Sequence, residues 1–512
     1  MTLKGKAIKS VINLISKLSF SNKSMQKLQQ HTLRKLLISA RNTDFGKHYD
    51  FKRILKSPNM IEAFQNNIPI FDYDEIYNKW WHRLLKEDRD VTWPGRIKKF
   101  ALSSGTTGSS SKYIPISNQM LLSMRSASFR SISVLTQLNL PNNFFNKKIL
   151  MLGGSTELKQ LADLSIGDLS GILIGNIPNC MNNLYEPSLK ISKESDWDEK
   201  LDKVIKEAYK WDIGVVTGVP SWIQILIERI IDYYKVSSIH DIWPNFKVYV
   251  HGGVSMEPYK TYFNKLLGND IIYLESYLAS EGFIAFQKSN TANGMSLVMG
   301  NGIFYEFIPF NSDNFSDEGV LLDRARALNL SEIKANEEYA IILSTNAGAW
   351  RYLIGDTVKF TDISKYEIII TGRIKHFLSL CGEHLSVGNM NDAISRINKE
   401  MNLDINEFTV FGELVNNYFC HTWWLGINED VDNELLCGKL DAILRVLNDD
   451  YNTERGSALK EMKVNIIPNK LFYGWMKIQN KIGGANKFPR VLSNKQITSW
   501  LAFLELQNIK QV

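Results

Sequence analysis

Ser103-Ser104-Gly105-Thr106-Thr107-Gly108-Ser109-Ser110-Ser111-Lys112 is the stretch on which the reading of this chain turns. Nine consecutive small or hydroxyl residues ending in a lysine have too little apolar surface to enter a core. They offer a backbone free to turn, exposed amides, several hydroxyl donors and one cation, which together suit an anionic phosphate chain. A flexible Ser/Gly linker shares that composition. Here, however, apolar residues 100–102 lead in and residues 113–116 lead out, which holds the loop between ordered elements.

The spacing excludes the commoner phosphate loops. A Walker loop places lysine directly after its second glycine, whereas three serines separate Gly108 from Lys112. The dinucleotide fingerprint Gly-x-Gly-x-x-Gly is missing from the stretch. No Gly-x-Ser-x-Gly occurs in the chain, so these serines do not form a hydrolase nucleophile elbow.

Working outward, 512 residues suit about three average domains, and 44% hydrophobic with 22% charged residues is an ordinary globular composition. Lys plus Arg number 60 against 54 Asp plus Glu, a net +6 that makes only a weak field over this much surface, so nucleic-acid binding is not expected. Cys180, Cys381, Cys420 and Cys437 form no Cys-x-x-Cys pair, which predicts a reduced cytoplasmic setting without structural zinc. Lys4, Lys6 and Lys9 imitate the start of a secretory signal, but Lys17 breaks the apolar stretch 11–20 and no small-residue cleavage pattern follows. Ile8, Val11, Ile12, Ile15 and Leu18 recur at helical spacing, which predicts an amphipathic helix docked on its own domain, with attachment to an anionic membrane as the alternative. No uncharged run approaches the roughly 20 residues of a spanning helix, so stable membrane insertion is not expected.

Residues 24–90 read as helical, with segments at 25–40 and 74–85. Short apolar runs then alternate with helical stretches at 222–234 and 259–267. These runs, 148–152, 213–216, 248–250 and 271–274, are mostly followed by glycine, which argues for α/β layering. Strand-like runs at 304–308, 339–343 and 366–370 follow closely and predict a smaller antiparallel or barrel-like subregion. Beyond residue 373 the alternation restarts: helices at 390–401, 434–448 and 496–506, and strands at 408–411, 418–425 and 464–467.

With these elements placed, the loop resembles that of the adenylate-forming enzymes, Ser/Thr-Ser-Gly-Thr-Thr-Gly followed shortly by lysine. Among them it looks most like the Gretchen Hagen family of auxin-responsive acyl acid amido synthetases, as a bacterial-type member. Further blocks occur in order. Tyr277-Leu278-Ala279-Ser280-Glu281, preceded by Ser276, resembles the block in which tyrosine lies against adenine, serine meets the α-phosphate and glutamate holds magnesium. His251-Gly252-Gly253 matches the place where backbone passes close to the nucleotide. Trp350-Arg351-Tyr352-Leu353-Ile354-Gly355-Asp356 resembles the block whose aspartate accepts from the ribose hydroxyls; a turn aspartate after glycine is the plain alternative. Thr371-Gly372-Arg373, then His376 and Gly382-Glu383, looks like the hinge, with Arg373 a second ribose or phosphate contact. His384 stands where many plant members carry lysine. Gly483-Gly484-Ala485-Asn486-Lys487-Phe488-Pro489-Arg490 resembles the C-terminal lysine loop.

The resemblance implies a large α/β adenylation domain over 1–375, with mixed sheets and a β-rich subregion, and a small mobile α+β lid over 376–512. It implies ATP and Mg2+, with Ser103, Ser104, Gly105, Thr106, Thr107 and Gly108 on the phosphates, Lys112, Glu281 and Lys487 in catalysis, and Glu281 on the metal. A carboxylic acid would attack the α-phosphate, releasing pyrophosphate, and an amine, most simply an amino acid, would take the acyl group as an amide. A ligase forming a coenzyme A thioester, or a non-enzymatic nucleotide-binding module, would use the same blocks. Trp80-Trp81 and Trp423-Trp424 are expected in the core, Arg125 and Arg130 on a helix face that meets solvent or the acyl carboxylate, and Cys381 without thiolate character.

Overall fold

The structure, a computed structural model, describes residues 9–10, 24–103, 112–253, 256–316, 319–374, 377–378, 380–383, 385–403, 405, 407–415, 418–479, 488–492, 494–507 and 509. Of the amphipathic helix expected over residues 8–18, all but Lys9 and Ser10 lie outside them. The chain divides into two compact units, one of Met1–Leu102 with Tyr113–Ile374 and one of Ser103–Lys112 with Lys375–Val512.

In chain order the strands up to residue 373 are β1 (Lys99–Ser103), β2 (Lys112–Ile116), β3 (Lys148–Met151), β4 (Lys159–Leu161), β5 (Leu164–Gly167), β6 (Tyr185–Glu186), β7 (Ile213–Gly218), β8 (Val248–His251), β9 (Ile272–Ala279), β10 (Gly282–Phe286), β11 (Met295–Leu297), β12 (Ile303–Pro309), β13 (Glu338–Thr345), β14 (Tyr352–Asp362) and β15 (Glu367–Arg373). Eleven of them form one mixed sheet in the order β12-β13-β14-β15-β11-β10-β9-β8-β7-β3-β6, and four form a second in the order β2-β1-β5-β4.

The large sheet has two halves. From β6 to β9 it is parallel, because the crossovers from β7 to β8 and from β8 to β9 are the helices Pro220–Tyr234 and Glu257–Leu266, long enough to return the chain to the same sheet edge. From β9 to β12 it is antiparallel, because those connections are hairpins or loops. β9 belongs to both halves. Of the antiparallel or barrel-like subregion expected over 304–370, the structure has the antiparallel form, as one half of the large sheet. The edge strand β12 is covered by the helix Met25–Ala40, where the Gln29 amide donates to Ile303 O at 3.0 Å and accepts from Tyr305 N at 2.8 Å. Trp81 and Trp350 are fully buried, and the Trp350 indole donates to Thr92 O at 2.9 Å.

In the second unit β16 (Phe377–Leu378) pairs with β17 (Leu385–Ser386). β18 (Phe408–Val415), β19 (Tyr418–Gly426) and β20 (Leu459–Ile467) form a three-stranded sheet, antiparallel between the first two and parallel between the last two. Trp424, Phe472, Trp475, Phe488, Trp500 and Phe503 make one aromatic core on it. No helix among the described residues is long and apolar enough to cross a membrane.

Candidate active site

The chosen residues of the first unit gather where β9 changes partners. Such a switch point, at the carboxyl ends of parallel strands, is where open α/β sheets leave a crevice. β8 ends at His251, whose register partner on β9 is Glu275. A Cβ on Gly252 would stand 2.4 Å from Ser276 O, so the strand ends approach too closely for any side chain. Gly253 takes φ +85°, which aims the chain off the sheet. Among the described residues, Ser276 is what Gly252 approaches this closely. The Ser276 hydroxyl donates to His251 O at 3.0 Å. His251 is 6% exposed, and burial, with Lys260 nearby, lowers its pKa to about 4.

Ser280 and Glu281 form the two-residue turn between β9 and β10, closed by the Ala279–Gly282 pair. Glu281 is buried, and its charge falls on the Tyr277 and Tyr352 phenols. No group of three His, Cys, Asp or Glu side chains among the described residues could cage a metal. One buried carboxylate fits an ion that keeps its other ligands as water and substrate phosphate oxygens, as magnesium does.

Asp356 and Arg373 are register partners on β14 and β15, which sets their side chains side by side. Arg373 Nε lies 2.7 Å from one Asp356 carboxylate oxygen, and the Tyr277 hydroxyl donates to the other. Burial, and then the Asp356 charge, hold the Tyr277 phenol well above its usual range. Asp356 is therefore no turn residue. It is a strand carboxylate with one partner on each oxygen and lone pairs to spare for further hydroxyl donors. Tyr277, at 6% exposure, presents its hydroxyl to this cluster rather than an open ring face.

A residue pair missed in the sequence supports the cluster. Arg351, five residues before Asp356, holds φ +43° and is fixed by every arm of its guanidinium. Its Nη2 lies 3.0 Å from Glu306, its Nε donates to the same carboxylate at 3.1 and 3.2 Å, and Nη1 donates to Gln65 O and Ile68 O at 2.7 and 2.6 Å. Glu306 is fully buried on β12. A lone acid in the apolar run Ile303–Pro309 was the signal available.

Ser103 ends β1 and Lys112, 8% exposed, begins β2. Ser104, Gly105, Thr106, Thr107 and Gly108 between them lie outside the described residues, as do His376, His384 and Lys487. Directly after Lys487, Phe488 is buried against Phe472, Trp475 and Trp500, and Arg490 pairs with Glu407 at 2.8 Å. Arg125 and Arg130 are half-buried and donate to the carbonyls of Asn176 and Met299, so neither simply faces solvent.

The second unit holds another buried carboxylate. Glu383 accepts from Leu380 N and Cys381 N at 2.8–2.9 Å and from the Cys381 thiol at 3.3 Å, and meets His421 Nε2 on β19 at 2.8 Å. Burial alone would raise Glu383; the His421 contact and these amides bring it down to about 2. Burial, then Glu383 and Glu454, push the Cys381 thiol well up, so it has no thiolate character.

Compared with known proteins, the chain matches in order the GH3 family N-terminal domain over residues 14–203, its central domain over 296–372 and its C-terminal domain over 388–496. The chain belongs to the GH3 family. Among relatives of this GH3 protein, the indole-3-acetic acid-amido synthetase GH3.2 of Arabidopsis thaliana is 24% identical over 293 residues, 54% of this chain and 47% of that one. The jasmonoyl–L-amino acid synthetase JAR4 of Nicotiana attenuata is 23% identical over 414 residues, 68% of each. The match thus spans about half the length of the first relative. Among solved structures, the AtGH3.15 acyl acid amido synthetase in complex with 2,4-DB superposes with a TM-score of 0.59 over 97% of this chain and 96% of its own, at 15% identity. A 2-hydroxyisobutyryl-CoA ligase in its thioesterification state gives 0.57 over 95% and 91%, at 13%. At these identities the likeness is one of fold: an adenylate-forming enzyme fold with a large first domain and a smaller C-terminal one.

Proposed function

We propose that this GH3 protein is an ATP-dependent acyl acid amido synthetase, a bacterial-type member of its family. The observation that carries the reading is the convergence of Tyr277 and Arg373 on Asp356, with the Glu281 charge acting on Tyr277, which leaves a carboxylate with acceptor capacity for two vicinal hydroxyls.

In this reading Asp356 accepts from the ribose hydroxyls while Arg373 and Tyr277 keep it oriented, and the Tyr277 ring turns to the adenine once nucleotide arrives. Gly252, Gly253, Ser276 and Ser280 shape the backbone and hydroxyl edge of the α-phosphate site. Residues 103–108 and Lys112 grip the phosphates, and Glu281 would hold a magnesium ion that arrives with ATP and neutralises phosphate charge. The substrate carboxylate oxygen bonds to the α-phosphorus as the bond to the β-phosphate oxygen breaks and pyrophosphate leaves. An amine nitrogen then attacks the acyl carbon, loses a proton and expels AMP. The chain contributes position and cancelled charge, Lys487 included, and no covalent intermediate on the protein is needed. Residues 1–375 act as the adenylation domain and 376–512 as its mobile lid, in a cytoplasmic setting.

The likeness to the CoA ligase supports a second reading, transfer of the acyl group to coenzyme A. Exchange of labelled pyrophosphate into ATP with a panel of small carboxylic acids identifies the adenylated acid; adding single amino acids or coenzyme A then separates the products. Amide with an amino acid is the expected result. Thioester without amide would replace the first reading by the second, and no acid-dependent exchange from any acid would remove both.

A further inference from the structure

Residues 1–43 contain nine lysines and arginines and no Asp or Glu, so the +6 of the whole chain is more than accounted for by this one end. The described part of it displays that charge in an ordered way. On the helix Met25–Ala40 and its C-cap, Arg34, Ile38 and Arg41 follow at spacings of four and three, which lines them along one face. The helix Phe51–Lys56 packs beside it and presents Lys52, Leu55 and Lys56. These six side chains, with Asn42, surround a shallow hollow of about 580 Å³.

Four cations and no carboxylate line it, and none of the four has an ion-pair partner among the described residues. Arg83, nearby in sequence, is by contrast held by both Asp44 and Asp88. Concentrating unneutralised charge of one sign weakens a fold by self-repulsion, so a surface with no other task gains from interspersed acids. Two aliphatic side chains sit among the cations, Ile38 being 40% exposed.

We propose that this face docks on the anionic surface of a phospholipid membrane, with Arg34, Arg41, Lys52 and Lys56 on lipid phosphates and the exposed Ile38 against the acyl boundary. Paired cationic and aliphatic contacts are what interfacial binding uses, attraction to anionic headgroups adding to apolar burial. Single-stranded nucleic acid is the poorer fit, because no aromatic ring lines the hollow on which a base could stack. A free polyphosphate would use the cations and leave the exposed Ile38 without a role. The docking is peripheral and needs no spanning helix.

Flotation of the full 512-residue chain with vesicles of phosphatidylcholine alone, and of phosphatidylcholine mixed with phosphatidylglycerol, tests this. Binding to the mixed vesicles alone, weakening as salt rises, is expected. The combined variant Arg34→Glu, Arg41→Glu, Lys52→Glu and Lys56→Glu should bind at least about six-hundredfold more weakly, since each of the four cations near such a surface is worth about fivefold. Its melting temperature and pyrophosphate exchange should be unchanged. Ile38→Ser should lower partitioning with the charges intact. Equal binding to neutral vesicles, full binding by the charge-reversed variant, or capture of tripolyphosphate or single-stranded RNA by these residues without any vesicle binding would each overturn the proposal.

Discussion

Asp356 in the first unit and Glu383 in the second are both carboxylates held between a basic side chain and further donors. Asp356 has Arg373 and the Tyr277 hydroxyl; Glu383 has His421, two backbone amides and a thiol. They differ in access. The Arg373 side chain keeps 28% of its surface in solvent and Asp356 11%, whereas both members of the Glu383–His421 pair are wholly buried. They differ also in who fills the lone pairs. Glu383 is saturated by its own chain, while Asp356 retains acceptor capacity toward the outside. The same chemical group therefore serves as a clasp in one place and keeps acceptor capacity in the other, which the proposed function assigns to a ligand, and the deciding variable is the unfilled, reachable lone pair.

The largest effect that separates them is on stability. Glu383→Ala strands the Leu380 and Cys381 amides and the His421 imidazole in a dry interior, which costs about 3–5 kcal/mol. Denaturant unfolding followed by the tryptophans should show the transition of the second unit shifted by that amount. A shift below about 0.5 kcal/mol would mean the clasp is ornamental. Asp356→Asn should do the converse, with little change in melting temperature but a loss of about 2–3 kcal/mol in kcat/KM for ATP, from hydrogen bonds to a charged acceptor. Unchanged ATP kinetics would show that Asp356 is another clasp.

Acid separates the units in a second way. His251 is held neutral by burial at about 4, against an ordinary value of 6.5, so the folded first unit binds fewer protons than its unfolded chain between those values. Its contribution is present above pH 6.5 and is lost as the pH falls through 4, to the extent of about 3 kcal/mol. Glu383, held at about 2 against 4.5, contributes fully above pH 4.5 and loses that contribution only toward pH 2. Between pH 6.5 and 4.5 acidification should weaken the first unit while the Glu383 contribution to the second stands. His251→Gln should flatten that slope, and an unaltered slope would move its origin elsewhere.

The contrast also explains what was legible in the sequence. Strand β7 and the helix Met25–Ala40 were readable because their burial is periodic or continuous. The extension of β9 through Glu275 and Ser276, and β14 with Gly355, Asp356 and Lys359 inside it, were not, because functional polar residues interrupt the apolar pattern where a strand enters a site. The blocks supplied residue identities without their partners. That Asp356 would meet Tyr277, 79 positions earlier, depends on a sheet order that no local signal encodes. Arg351 read as part of a nucleotide block and proved an anchor to Glu306, since a motif preserves its scaffold along with its contacts.

The smallest effect is the most discriminating within the first unit. Tyr277→Phe keeps the ring and removes one donor from Asp356, whose other oxygen still meets Arg373. If the hydroxyl only tunes the carboxylate, the loss is about 1 kcal/mol, less than tenfold in KM for ATP, with kcat nearly unchanged. If the ring itself must reach the base, Tyr277→Ala should cost several times more than Tyr277→Phe, because it also removes the stacking face. The ratio of the two losses, measured as KM for ATP in the exchange reaction, reports how much of Tyr277 acts through Asp356. A Phe variant as impaired as the Ala variant would put the whole contribution on the hydroxyl and make Tyr277 a positioning residue alone.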